Sequence, residues 1–393
     1  MKQLTRLFIP ICLETLFYML SGMVDTLMLS AVGDYAVGAV GTANSYIGIF
    51  IIMFSIISSG MVSVMTQNIG AGRPGVAYQA RQLGLLFNAV AGVLMAVFLF
   101  SGAGAILRMV GIADALYEPA LIYLKIVGGG CILNAVIPIF SSYLRAFGYT
   151  KQPLYATIVG NIANFVMNAV FLFVLHKGVA GVAIATVISK ILNLCIVLYF
   201  SHKLISAKNS TERIANKTVL GQIVKVGLPS ACETALYNVA MMLVIRFLNQ
   251  MDAEGLNVTA RSYTATISNF SYCVGAALAQ ANAIMTGWHI GAGELEECDR
   301  GTKRAAFVGV CVAVCMEIAI VLGFGFIMPL FTDNPEMTAL VRKLLAIDIV
   351  LEIGRVTNLV FGQALKTSGD AVFPAVIAAV FMFVFAVGGT WLF

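Results

Sequence analysis

Residues 9–18 read IPICLETLFY, and residues 228–237 read LPSACETALY. The Pro, Glu, Thr and Tyr of the first stretch recur in the second in the same order and at the same intervals. Two further blocks repeat in the same order, at a spacing of 221 residues where the first has 219: IGAG at 69–72 and 290–293, and Leu144, Gly148 and Pro153 against Leu365, Gly369 and Pro374. Internal symmetry of this kind indicates that the chain consists of two related halves.

The composition places both halves in a lipid bilayer. Of the 393 residues, 60% are hydrophobic and 11% are charged, and the mean hydropathy is +0.93. Soluble domains carry about 25% charged residues, so a soluble fold of this length could not cover so much apolar surface. The net charge of +5 is small and is spread over the loops. Such charges set the orientation of a chain in the membrane and are not typical of a nucleic-acid-binding surface.

Eleven apolar stretches are long enough to cross a bilayer as helices, since a span needs roughly 20 residues. They cover residues 8–30, 45–69, 83–104, 121–146, 154–175, 179–200, 221–249, 260–287, 306–328, 338–365 and 372–393. We predict an all-α membrane protein of two pseudo-symmetric six-helix bundles. By the register of the repeat, Phe393 corresponds to a position inside the fifth span of the first half. We therefore expect the twelfth helix to be missing from this chain, through truncation or missing C-terminal residues.

The longest polar stretch, residues 201–218, is predicted to be a cytoplasmic linker. It separates an N-terminal six-helix lobe, residues 1–200, from a C-terminal lobe of five helices, residues 219–393. Most Lys and Arg residues fall in cytoplasmic segments if the N-terminus is cytoplasmic, and this bias sets topology. We expect a multi-pass protein of the cell membrane whose two parallel repeats enclose a cleft that opens alternately to each side.

Asp25 and Glu14 are ionisable residues within the first span, where charge is costly and usually faces a cavity or the protein interior. Eleven residues separate them, which is about three helical turns, so both lie on one face with Tyr18. The repeat places Val244 opposite Asp25, so this acid is present in one half only. We interpret Asp25 as a protonation or cation site; the alternative is a buried acid satisfied by its neighbours.

Other polar residues in the spans suggest a substrate cleft. Glu14 and Glu233 are equivalent in the repeat, and they either contact a cationic substrate or stabilise helix starts. On a later span, we favour a structural ion pair between Glu352 and Arg355, and we leave the roles of Glu317 and Arg246 open. The predicted cleft residues are Glu14, Tyr18, Glu233, Tyr237, Asp348 and Glu352.

Three asparagines, Asn161, Asn164 and Asn168, occur within eight residues of the fifth span. Amide side chains in lipid often hold helices together, but three so close favour a lined cavity. The eight cysteines include no CxxC pair, and the chain has three histidines. We therefore expect neither a metal site of these residues nor a disulfide framework.

The motifs resemble those of the multidrug and toxic compound extrusion (MATE) family. The residues that carry the resemblance are Pro10, Val24-Asp25-Thr26, Ile69-Gly70-Ala71-Gly72, Leu144-Arg145-Ala146-Phe147-Gly148 before Pro153, and Gly369-Asp370 before Pro374. The resemblance implies an antiporter that exchanges drugs or organic cations for H⁺ or Na⁺. It implies that the protein needs no cofactor and no metal beyond a possible Na⁺ at Asp25. It also implies a monomer whose partners are small organic cations and the lipid bilayer.

The resemblance also assigns a cation site. In the prokaryotic branch with a site in the first lobe, the first-helix acid corresponds to Asp25, the fifth-helix Asn to Asn164 and the sixth-helix Thr to Thr186. The family often has an Asp one turn after that Asn, whereas this chain has Asn168, which would leave Asp25 as the only fixed charge of the cluster. The other branch of the family uses acids on the seventh and tenth helices. The resemblance therefore leaves open whether the coupling ion is H⁺ or Na⁺.

Three other functions compete with antiport. A lipid-linked saccharide flippase of the same broader superfamily would need many basic residues in its cleft, and few are present within the spans. A non-transporting membrane sensor would not need a stripe of acids along one helix. An intramembrane enzyme is disfavoured because no His–acid or Ser–Lys constellation stands out.

Overall fold

The computed structural model describes residues 2–205, 212–251, 256–330, 332 and 334–392, and these form helices without any strand. The helices are α1 Lys2–Ser30, α2 Asp34–Gly70, α3 Pro74–Val110, α4 Asp114–Gly129, α5 Cys131–Ala146, α6 Lys151–Ala169, α7 Gly178–Leu204, α8 Asn216–Met251, α9 Leu256–Ala292, α10 Leu295–Leu322, α11 Phe324–Ile327, α12 Pro335–Ser368, α13 Val372–Phe381 and α14 Gly388–Leu392. A π-helical segment, Val170–Val174, follows α6, and another, Met382–Val387, joins α13 to α14. The predicted all-α membrane fold is confirmed.

Within the described residues, eight helical stretches are long and apolar enough to cross a membrane, or nine if α4 and α5 form one bent span. The bend between α4 and α5 is 42° and falls on three consecutive glycines, residues 128–130, where the backbone bends easily. The predicted spans on α9 and α12 are helical but are not among the eight. In α12 the reason is charge, because Asp348, Glu352 and Arg355 interrupt its apolar sequence.

The repeated IGAG block has a conformational explanation. It ends α2 at Gly70 and α9 at Ala292, and the last glycine of each block has a positive φ, +72° at Gly72 and +79° at Gly293. Residues with a Cβ rarely adopt this left-handed conformation. The block therefore recurs because both halves turn the chain in the same way after the same helix.

The chain packs as two compact units: an N-terminal unit, Leu13–Gly227, and a C-terminal unit formed by Met1–Cys12 with Leu228–Phe393. The first turns of α1 belong to the C-terminal unit, where Leu4, Leu7 and Ile11 are buried in a core with residues of α9, α10 and α12. The lobe boundaries inferred from the sequence remain a prediction, and residues 206–211 of the predicted linker lie outside the described part of the chain.

The start of α8 packs within the N-terminal unit in the equivalent manner. Val219 and Ile223 of α8 are buried in its core, and the contact with α2 is close enough that neither Gly60 nor Gly227 has room for a Cβ. The obstructing atoms are the backbone of Ile223 and of Ile56, respectively. Small residues at such crossings let helix backbones approach closely, which is the usual way that membrane helices associate.

A Gly60→Ala substitution is therefore expected to destabilise the protein by roughly 1–3 kcal/mol, because the new methyl group must displace backbone atoms. Gly48→Ala, in the same helix but with open space around it, is the matched control. It should be neutral or stabilise by about 0.5–1 kcal/mol, since alanine favours helix more than glycine does. Thermal unfolding in detergent tests the contrast, and equal midpoints for the two variants would contradict the close crossing.

Candidate functional site

A polar cluster in the N-terminal unit surrounds Asp25 of α1. The Asn168 side chain of α6 donates from Nδ2 to Asp25 Oδ1 at 2.7 Å and to Asn164 Oδ1 at 3.1 Å. Asn164 and Asn168 are both buried, and Asn168 is fully inaccessible. The structure thus brings together three of the four residues that the resemblance assigned to the cation site.

The neighbouring turn of α6 also binds α1. Asn161 Nδ2 donates to the carbonyl oxygen of Phe17 at 2.8 Å, so this asparagine joins α6 to α1. Asn168 donates to the Asp25 carboxyl group and to Asn164. The π-helical segment Val170–Val174 begins directly after this region, and single-turn segments of this kind are frequent at functional sites. Asn161 thus has the role of joining two helices, and the cavity lined by the three asparagines stays a prediction.

Thr186 of α7 reaches the cluster through a tyrosine. Its own hydroxyl group donates to the carbonyl oxygen of Val182 at 2.9 Å. The hydroxyl group of Tyr123, buried on α4, has Asn44 and Thr186 as hydrogen-bonding neighbours and interacts electrostatically with Asp25. Five helices, α1, α2, α4, α6 and α7, therefore contribute side chains to the surroundings of Asp25.

Lys190, one turn after Thr186 on α7, is a residue that the sequence reasoning missed. Its Nζ donates to Asn134 Oδ1 of α5 at 2.8 Å, and its charge interacts with that of Asp25. The prediction that Asp25 is the only fixed charge of this cluster is therefore wrong. The signal was available, because Lys190 is an ionisable residue within the predicted span 179–200 and lies on the same helix face as Thr186.

Glu14 and Glu233 each form an ion pair with a basic residue at the end of a helix. Glu14 Oε1 lies 2.6 Å from Arg145 Nη2 of α5, and Glu233 Oε2 lies 2.8 Å from Lys366 Nζ of α12. Arg145 and Lys366 occupy equivalent places in the repeat, each directly after the repeated leucine. The two ion pairs are thus copies of one arrangement, and a role of the glutamates in substrate binding remains a prediction.

A second group of charges lies in the C-terminal unit. The Arg355 guanidinium group contacts Glu352 Oε2 at 2.6 Å and Asp348 Oδ1 at 3.1 Å. The predicted Glu352–Arg355 pair is confirmed, and the same arginine also binds Asp348. Ser268 of α9 donates to Oε1 of the fully buried Glu317 at 3.0 Å. Among the described residues, no group of His, Cys, Asp and Glu has a geometry that could hold a metal ion.

The six predicted cleft residues are divided between the two units. Glu14 and Tyr18 lie in the N-terminal unit, and the other four lie in the C-terminal unit. The equivalent tyrosines are accessible, with 70% of Tyr18 and 50% of Tyr237 exposed, whereas Asp348 and Glu352 are buried. The equivalent residues of the two units therefore have similar surroundings, and the buried acids Asp348 and Glu352 are the ones that differ.

The two halves of the chain match one protein family. The family model MatE matches residues 10–170 and 229–392, which are the two repeats. The chain belongs to the MatE family. A relative in Bacillus subtilis (strain 168), the "Uncharacterized transporter YisQ", is 32% identical over 379 residues, which cover 95% of this chain and 83% of that protein.

Solved structures of MATE proteins share the fold. One, described as the outward-facing conformation of a multidrug resistance MATE family transporter of the MOP superfamily, has a TM-score of 0.87 and 20% identity and covers 100% of this chain and 88% of that chain. Another, a MOP superfamily transporter from Pyrococcus furiosus Vc1 (DSM3638), has a TM-score of 0.84 and 19% identity over 100% and 88% of the two chains. Membership of the MatE family, together with the apolar helices, makes this MATE protein a multi-pass membrane transporter.

Proposed function

We propose that this MATE transporter is a secondary active antiporter that exports organic cations or drugs in exchange for H⁺ or Na⁺ by alternating access. The observation that carries the proposal is the Asp25 carboxyl group, which is placed among amide and hydroxyl groups on the face of an apolar helix. A carboxylate within a span marks an ion pathway by default. The equivalent position of the second half is Val244, so this charge belongs to one repeat alone.

The chemistry of Asp25 suits an exchange of cations. Its Oδ1 atom accepts a hydrogen bond from Asn168 Nδ2, which favours the ionised form, and a cation that binds there neutralises it. An organic cation and the coupling ion would then compete for one negative charge. Movement of one charge through the membrane potential is worth about 2.3 kcal/mol per 100 mV, which is sufficient to bias the cycle toward export.

Further features of the proposal follow from the sequence. We place the protein in the cell membrane with a cytoplasmic N-terminus, since Lys and Arg accumulate in the segments that this topology puts inside. We propose that it acts as a monomer, without a cofactor and without enzymatic activity. Membership of the MatE family does not favour the alternative functions of a lipid-linked saccharide flippase or a membrane sensor.

Transport of a fluorescent organic cation into proteoliposomes tests the proposal. The purified protein is reconstituted, and a pH gradient and a Na⁺ gradient are imposed separately, each against liposomes without protein. We expect accumulation of the dye with at least one of the two gradients, and its collapse when that gradient is dissipated. Absence of accumulation with either gradient, for a panel of structurally different cations, would contradict antiport.

A further inference from the structure

Lys190 is a positive charge on a membrane-spanning helix that the proposed exchange at Asp25 does not yet explain. Its Nζ hydrogen bonds to a neutral group, the amide oxygen of Asn134, and no carboxylate of the described residues lies within ion-pair distance of it. An ammonium group at such a site is costly unless another charge compensates it. Asp25 is the carboxylate among the described residues that interacts electrostatically with Lys190.

The cluster around these two residues is neutral when both are ionised. Three other titratable groups interact electrostatically within the cluster: Tyr123 of α4 with Asp25, Tyr18 of α1 with Tyr123, and Cys131 of α5 with Lys190. All three are uncharged in their ordinary form at neutral pH. Within the described residues of this cluster, Lys190 is therefore the single cation and Asp25 the single anion.

The hydrogen bonds of the cluster leave few oxygen atoms for a metal cation. Asn164 Oδ1 is occupied by Asn168 Nδ2, and Asn134 Oδ1 by Lys190 Nζ. Of these three amide oxygens, only Asn168 Oδ1 accepts no hydrogen bond from a described residue. Toward Asp25, moreover, Asn168 presents its donor nitrogen and not its oxygen. At Asp25 Oδ1, a Na⁺ ion would therefore meet the N–H group of Asn168 and the positive charge of Lys190 rather than an amide oxygen.

We propose that Lys190 is a built-in counter-ion of Asp25 that excludes Na⁺ from this carboxyl group, so that the ion exchanged is the proton. The inference rests on the proposed exchange at Asp25 and names its ion. A proton forms one O–H bond with the carboxylate and needs no shell of oxygen ligands. Asp25 takes up this proton from one side of the membrane and releases it to the other, while Lys190 stays an ammonium group throughout. Repulsion between the ammonium group and a bound Na⁺ weakens Na⁺ binding by roughly tenfold or more at separations up to about 10 Å in a protein.

Na⁺ binding to the purified protein, measured by calorimetry at neutral pH, tests the exclusion directly. We expect no saturable binding to the wild type and saturable binding to Lys190→Met, at least about tenfold tighter. Binding to the variant should vanish in the double variant Lys190→Met/Asp25→Asn. Lys190→Arg keeps the charge and should still exclude Na⁺. Lys125→Met, which removes an exposed lysine of α4, is the matched control and should behave as the wild type.

Transport in proteoliposomes separates this inference from the proposed function. Dye uptake by the wild type should follow a pH gradient and ignore a Na⁺ gradient, and Lys190→Met should gain a response to Na⁺. Uptake by the wild type with a Na⁺ gradient alone, or saturable Na⁺ binding that Asp25→Asn removes, would overturn the role of Lys190. The measurements on the wild type and on Lys190→Arg test whether Lys190 excludes Na⁺ even if Lys190→Met does not fold. Undiminished ion-driven uptake by Asp25→Asn would instead show that the exchange does not take place at Asp25, and absence of uptake by the wild type with either gradient would overturn the proposed antiport itself.

Discussion

The Asp25→Asn variant is expected to lose ion-driven export of organic cations and to keep its fold. An amide is nearly the same size as a carboxyl group, and its oxygen can still accept the 2.7 Å hydrogen bond from Asn168 Nδ2. The amide cannot take up a proton or carry a negative charge, however, so no cation is exchanged at this position. We expect uptake in proteoliposomes to fall to the level of liposomes without protein.

The matched control for this prediction is Glu118→Gln, which makes the same change from carboxyl to amide at an exposed position on α4. It should transport as the wild type does. The thermal unfolding midpoints of the two variants in detergent should agree with that of the wild type, which would assign the loss to chemistry rather than to misfolding. Full activity of Asp25→Asn under an imposed pH or Na⁺ gradient would rule out exchange at Asp25.

The Arg355→Met variant is expected to destabilise the protein by roughly 3 kcal/mol. Arg355 is the partner of both Glu352, which is fully buried, and Asp348, which is 9% exposed. Removal of one member of a buried ion pair leaves the other charge uncompensated, and this is far more costly than the pair was favourable. Here one substitution leaves two carboxyl groups without their arginine, close to a third acid, Glu317.

A second substitution tests the cause of that loss. Glu352→Gln in the Arg355→Met background removes one of the stranded charges and should recover part of the stability, whereas Glu352→Gln alone should not stabilise the protein. Chemical or thermal unfolding in detergent provides the comparison as a double-mutant cycle. Strictly additive effects of the two substitutions would show that Arg355 does not stabilise the unit through Glu352.

The sequence predicted the helices well because the bilayer demands long apolar segments whose backbone groups bond within the helix. In its described residues, each of the eleven predicted spans lies on one helix or on consecutive helical segments. Two helices, α9 and α12, are not apolar enough to count among the eight candidate membrane spans. Of these, α12 is a continuous helix of 34 residues whose charges exclude it from that set. Those charges are paired within the C-terminal unit, which is why the helix tolerates them.

The candidate site was predictable in part. Asp25, Asn164 and Asn168 could be placed together because a resemblance aligned them and because helical spacing puts the two asparagines one turn apart. Lys190 could have been found as an intramembrane charge. Its hydrogen bond to Asn134 and its position near Asp25 could not, since these depend on how α1, α5 and α7 pack.

The sequence by itself determined that the chain is duplicated, because the repeated residues perform local tasks such as the left-handed turn at Gly72 and Gly293. Only the tertiary structure decided what the repeated charges do. Glu14 and Arg145 lie 131 residues apart in the chain, yet their side chains meet at 2.6 Å. Glu233 and Lys366 meet in the same way in the other unit. A carboxylate in an apolar helix can serve a substrate, a proton or a basic side chain, and the choice depends on which group the packing of distant helices brings within hydrogen-bonding distance.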